Sequence, residues 1–145
     1  MTMNTSEIER FIKRDRHCAA LFQGVFSGDT LPINPRLLVC NTDPSYKSGQ
    51  HWIAIFIDDL GIGEFFDSFG RPPTPDFKQY MNDHCRYWTY NNKQIQSLIS
   101  SFCGYYCCFY CMFRCRGLNM NNIVNRFTRD TAFNDSIVHS FVCHE

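Results

Sequence analysis

From Phe102 to Phe113 every residue except Gly104 is apolar or aromatic, and Ser100 and Ser101, both helix-capping types, stand just before the run. This pattern predicts a helix buried on nearly all sides, too short to span a bilayer, which takes ~20 residues. Near the start of the chain, Ile8, Phe11 and Ile12 recur at helical spacing behind a Ser6–Glu9 capping box. An amphipathic helix ending near His17 is expected there. Leu21 to Asn34 carries Gly24, Gly28, Asp29, Pro32 and Asn34 and reads as a turn-rich connection. Leu37 to Cys40 is a short strand, and the polar stretch from Asn41 to Gln50, with Pro44, Ser48 and Gly49, reads as an exposed loop.

The strongest strand signal is His51-Trp52-Ile53-Ala54-Ile55-Phe56-Ile57, a near-continuous apolar run suited to a sheet covered on both faces. Asp58, Asp59 and Gly61 turn the chain, and Glu64-Phe65-Phe66-Asp67 returns as the antiparallel partner. His51 opens one arm and Asp67 closes the other, so the hairpin brings an imidazole beside a carboxylate. Thr74 and Pro75 open a short helix through Phe77, Tyr80, Met81 and His84, and Tyr87 to Tyr90 is strand-like before an Asn91-Asn92 turn. Gly117 stops the buried helix, and Met120–Phe127 and Asn134–Val142 form two further helical stretches. The expected fold is α+β: a mixed, mainly antiparallel central sheet packed by helices, as a single domain over residues 1–145.

Composition narrows this picture little. Lys plus Arg and Asp plus Glu are balanced at 14 each, which gives only weak support to nucleic-acid binding and none to membrane attraction. Nine cysteines is a high and odd count, so not all can pair within one molecule. Cys103, Cys107, Cys111 and Cys115 recur every four residues on one helix, a geometry unsuited to disulfides, which points to a reducing compartment and a chain that is not secreted. The N-terminal residues carry no signal-peptide pattern. No Cys-x-x-Cys pair opposes a second such pair, which argues against a structural zinc site.

Four residues carry candidate chemistry. Cys103 falls in the first turn of the buried helix, where the dipole and free N–H groups favour an anion and make a thiol easier to ionise. Gln96, seven residues upstream, is set to bring an amide N–H beside that sulfur. With His51 and Asp67 these supply a thiol nucleophile, an imidazole base, an orienting carboxylate and an oxyanion donor. Each residue also has a plain structural reading: Cys103 as a small core residue, His51 as a solvent-facing strand end, Asp67 as a turn former, Gln96 as a surface amide. The sequence alone leaves both readings open for each, and the order of all four favours the chemical one.

The motifs Gly49-x-His51-Trp52, Phe66-Asp67-x-Phe69-Gly70, Gln96 and Cys103-Gly104-x-x-Cys107-Cys108 resemble the adenovirus-type cysteine proteases, the adenain family, relatives of the Ulp1-like SUMO proteases. Weaker echoes are Phe22-x-Gly24, Asn41-Thr42, Ser140-Phe141 and Cys143-His144. The resemblance implies a cysteine endopeptidase that cuts capsid or core precursors of a virus or virus-like mobile element near glycine. Cys103 would be its nucleophile, His51 its base and acid, Asp67 the orienter, and Gln96 with the Cys103 N–H the oxyanion hole. Trp52 would shield the imidazole, and Trp52 and Gly104 would support the substrate side of the site. Asp67 departs from the glutamate of adenain and matches the Ulp1 branch.

The resemblance also implies an activating peptide joined by a disulfide through Cys85, whose polar flanks His84 and Arg86 suggest an exposed thiol; no other cofactor and no metal is required. A monomer acting in the host nucleus or cytoplasm and in the virion is expected. Two alternatives remain. One is a protease that removes ubiquitin-like modifiers; the other is a non-catalytic, capsid-associated binding module.

Overall fold

The computed structural model describes residues 2–42 and 51–144; Gly49 and most of the polar loop before His51 fall outside them. Eleven elements follow in order: α1 (Thr5–Arg14), α2 (Arg16–Ala19), β1 (Phe22–Phe26), β2 (Leu37–Asn41), β3 (Trp52–Ile57), β4 (Ile62–Phe66), α3 (Pro75–His84), β5 (Tyr87–Tyr90), α4 (Cys103–Arg114), α5 (Met120–Val124) and α6 (Thr131–Cys143). One sheet orders its strands β1-β2-β3-β4-β5. The two central pairings, β2 with β3 and β3 with β4, are antiparallel, and the flanking β1–β2 and β4–β5 pairings are parallel.

The sheet is covered on both faces, which is why its central strands read as continuous apolar runs. Side chains alternate along a strand, so Leu37, Val39, Ala54, Phe56 and Phe66 face the larger core with α1, α4, α5 and α6. Leu38, Cys40, Ile53, Ile55, Ile57 and Phe65 face Phe77 and Met81 of α3. Helix α4 runs through the larger core with every residue from Cys103 to Met112 buried. Tyr106 and Tyr110 sit fully inside it because their hydroxyls find carboxylates, on Asp135 at 2.6 Å and on Glu64.

Three local expectations need correction. The capping box of α1 is Asn4 with Glu7, not Ser6 with Glu9. Glu9 instead reaches the edge strand, where its Oε1 accepts the Val25 N–H at 3.0 Å. The segment from Leu21 is not all connection: Phe22–Phe26 forms β1, disguised by a ladder irregularity at Gly24, whose φ of +130° a side chain would resist. Neither Ser100 nor Ser101 caps α4; the N-cap position is Phe102, and no side chain bonds to it there.

Candidate active site

The β3–β4 hairpin assembles the first half of the site. Its ladder pairs Ala54 with Phe66, and the same register carried past the strand ends sets His51 opposite Phe69, with Asp67 diagonal to His51. His51 Nε2 lies 2.7 Å from Asp67 Oδ1, and the same oxygen accepts the Phe69 N–H at 2.8 Å. The His51 ring stacks on Phe69 with centroids 4.7 Å apart, and the Arg71 guanidinium lies over the same Phe69 ring, also at 4.7 Å. Phe69, to which the sequence assigns no role of its own, is therefore a ring stacked on the imidazole.

Helix α4 brings the sulfur to this pair. Cys103 is 5% exposed, and the Trp52 N–H, next in the chain to His51, donates to its Sγ at 3.4 Å. The remaining imidazole nitrogen, His51 Nδ1, is buried and without a hydrogen-bond partner among the described residues. Burial by itself pushes the imidazole down; the hydrogen bond and charge of Asp67 and the neighbouring Cys103 outweigh it and raise His51 to about 9. Deeper in α4, burial pushes the Cys107, Cys108 and Cys111 thiols up, which leaves them inert as nucleophiles.

Asp67 is held by its backbone as well. Asn91, one residue past β5, accepts the Asp67 N–H on Oδ1 at 2.9 Å and donates from Nδ2 to the Asp67 carbonyl at 2.6 Å. The Gly70 N–H adds a bond of 2.8 Å to that carbonyl and closes the turn. In the sequence Asn91 reads only as part of an Asn91-Asn92 turn, and nothing near it shows that its side chain faces inward.

Gln96 is fully buried, not a surface amide. Its Oε1 accepts the Ser68 hydroxyl, and its Nε2 donates to the Ser100 carbonyl at 3.2 Å and to Ser100 Oγ at 3.1 Å. The structure thus brings Gln96 to the loop that leads into α4, with its amide turned to Ser100 rather than to the sulfur. Asp135 and Asn134 of α6 fix the same loop from below, through the Ser97 N–H at 3.4 Å and the Ile95 carbonyl at 3.0 Å.

Gly104 packs inward: a Cβ there would lie 3.1 Å from Ile8 Cδ1 and 3.2 Å from Met3 Cβ, so it serves the α1–α4 contact. Trp52 and Cys103 line a cavity of about 340 Å³ with Thr2, Met3, Asn4, Thr5, Asn41 and Ser101. Cys85 lies away from this site, at the C-cap of α3 just before β5. Its Sγ stands where a Cβ on Gly63 would be, 2.5 Å away, and it is half-buried rather than free in solvent. Burial, then the charge of Asp58, raises its thiol. Among the described residues no cluster of three or more His, Cys, Asp or Glu is placed to hold a metal ion, and no helix is long and apolar enough to cross a membrane.

No protein-family model and no curated protein sequence matches the chain. Solved structures do. The ASFV pS273R protease aligns over 95% of this chain and 67% of its own, with 20% identity and a TM-score of 0.64. The central domain of Lpg1148 from Legionella pneumophila aligns over 99% of this chain and 94% of its own, with 10% identity and a TM-score of 0.58. ChlaDub1 from Chlamydia trachomatis aligns over 95% and 72%, with 16% identity and a TM-score of 0.58.

The chain therefore shares the α+β fold of the pS273R protease, the Lpg1148 central domain and ChlaDub1, the fold class that the sequence implied. The likeness supports that wider fold and not the adenovirus branch in particular. The chain spans about two thirds of the pS273R protease.

Proposed function

We propose that the chain is a cysteine peptidase with Cys103 as nucleophile, His51 as its acid–base partner and Asp67 as the carboxylate that orients the imidazole. The observation that carries this is the His51 Nε2 contact to Asp67 Oδ1 at 2.7 Å, with Cys103 Sγ bonded at 3.4 Å to the N–H of the residue next to His51. Asp67 occupies Nε2, so Nδ1 is the nitrogen left to exchange a proton with the sulfur. A histidine raised to about 9 is protonated at neutral pH, which places a cation beside the sulfur and a proton ready for the leaving amine.

In the proposed reaction the thiolate attacks the scissile carbonyl carbon, and the π electrons pass to the oxygen. The Cys103 N–H at the open end of α4 faces that oxygen, and Gln96 joins it by turning its amide from Ser100. Collapse of the tetrahedral adduct breaks the C–N bond as His51 gives its proton to the leaving amine. Water, deprotonated by His51, then releases the acyl group and restores the thiol.

The substrate reading is a precursor of the structural proteins of a virus or mobile element, cut near glycine; the likeness to a viral protease supports it. A second reading, removal of a ubiquitin-like modifier, is supported by the likeness to ChlaDub1. Incubating the chain with the structural proteins of its own genome, and separately with a ubiquitin-like protein extended beyond Gly-Gly, then mapping new termini by mass, separates them. Cleavage of the first set, absent in Cys103→Ala, is the expected result; cleavage of only the modifier would replace the first reading with the second.

A further inference from the structure

We infer that Asn91 is a positioning residue for the Asp67–His51 pair, an inference that rests on the peptidase reading above. The β4–β5 ladder pairs Phe65 with Tyr90, and β5 ends there. One step further on, the Asp67 peptide needs partners that the strand no longer provides, and both its polar groups are buried. The Gly70 N–H already bonds the carbonyl at 2.8 Å, so it is above all the Asp67 N–H that would be stranded, and a buried donor without an acceptor is unfavourable.

Asn91 meets that need with its side chain. Its amide carries one acceptor and one donor in the arrangement of a peptide group, and it uses them on the Asp67 N–H at 2.9 Å and the Asp67 carbonyl at 2.6 Å. No other side chain does this from the same length. Aspartate lacks the donor, serine offers a single group, and glutamine is one methylene too long. With 6% exposure, Asn91 has little room to turn away.

This clamp fixes Asp67 where its carboxylate has two duties. Oδ1 accepts the Phe69 N–H at 2.8 Å, which orients it, and meets His51 Nε2 at 2.7 Å. A displaced carboxylate lets the imidazole tilt, and misplacement by about 1 Å can cost on the order of 10²-fold in rate. Asn91 also lines a cavity of about 400 Å³ with Glu64, Tyr90, Lys93 and Met120. A shorter residue at this position opens that cavity to the Asp67 peptide, where water would take the place of the amide.

The test compares the parent chain with Asn91→Ala and with the uncharged Asn91→Ser, which stands in if Asn91→Ala fails to fold. Two readouts are taken besides stability: the titration of His51 by NMR, and the pH profile of Cys103 alkylation by a small electrophile. The groups that set His51's charge are Asp67 and Cys103, with Arg71 across the Phe69 ring. The expected result is a His51 midpoint lower by about one unit and a fall in alkylation near neutral pH of roughly tenfold or more. A variant with reduced stability but an unmoved His51 midpoint and profile overturns the inference and leaves Asn91 as a strut. An unreactive Cys103 in the parent overturns the peptidase reading instead, and the His51 titration still decides the role of Asn91.

Discussion

His51 and Asp67 meet through Nε2 and Oδ1 at 2.7 Å across the ends of one hairpin, in a place where the histidine side chain is 15% exposed and the aspartate 8%. Solvent screens this pair poorly, so the imidazolium is favoured even though burial opposes it. His51 is raised to about 9 in the folded chain, against about 6.5 when unfolded. A raised folded value means that the proton on His51 adds stability in full below about 6.5 and that this contribution disappears as pH rises through about 9. Denaturant titrations across that window should show stability falling toward alkaline pH. Asp67→Asn should remove most of the slope, because burial then acts on His51 without the carboxylate.

Gly70 should tolerate no side chain. Its φ is +72°, and a Cβ would lie 2.5 Å from the Lys93 carbonyl carbon and 2.7 Å from the Gln94 nitrogen. Both obstacles are backbone, so Gly70→Ala pays the left-handed penalty of roughly 1–2 kcal/mol and must also push the β5–α4 connection away. Thermal unfolding should show a loss above about 2 kcal/mol, and His51 should titrate differently, because the same turn sets Asp67.

Gln96 has a structural role and, in the proposed reaction, a catalytic one, and one variant separates them. Gln96→Ala strands the Ser68 hydroxyl and frees Ser100, at a stability cost of about 1–3 kcal/mol. If its amide also turns to the oxyanion, kcat of the folded protein falls by about 10²–10³-fold with KM little changed. Steady-state kinetics under conditions where the variant is fully folded would show this; an unchanged kcat would leave Gln96 as a support for the loop alone.

The cysteines should separate by accessibility. Brief treatment with a small neutral alkylating agent, read by peptide mass, should modify the exposed Cys143 quickly and Cys85 slowly. Cys85 is half-buried beneath the Gly63 position and its thiol is raised by burial. Cys107, Cys108 and Cys111 should stay unmodified until the chain unfolds. Rapid modification of Cys85 would favour its use as an attachment point for an activating peptide.

The hairpin and the buried helix were legible in the sequence because their signals are local. An apolar run ending at His51, its partner ending at Asp67, and a cysteine opening an all-apolar helix each lie within a few consecutive residues. β1 was not legible, since a ladder irregularity at Gly24 breaks its alternation and the glycine reads as a turn. The inward contacts of Asn91 and Gln96, and the seat of Phe69 against His51, were hidden for other reasons. Their partners, Asp67, His51, Ser68 and Ser100, are assigned by register and by loop packing, and a polar residue in a polar segment gives no sign of which way it faces. Trp52 shows the same limit: its position beside His51 was clear, but not that its backbone N–H meets the sulfur.

The most direct measurement is the rate at which a peptide bearing an electrophilic carbonyl labels Cys103, followed by mass across pH in the parent chain, His51→Ala and Asp67→Asn. Selective labelling of Cys103 near neutral pH, with a decline above about 9 as His51 loses its proton and a loss of at least about 10²-fold in His51→Ala, is the predicted result. Labelling spread over Cys143 and the other accessible thiols, with Cys103 no faster and indifferent to His51, would contradict the assignment.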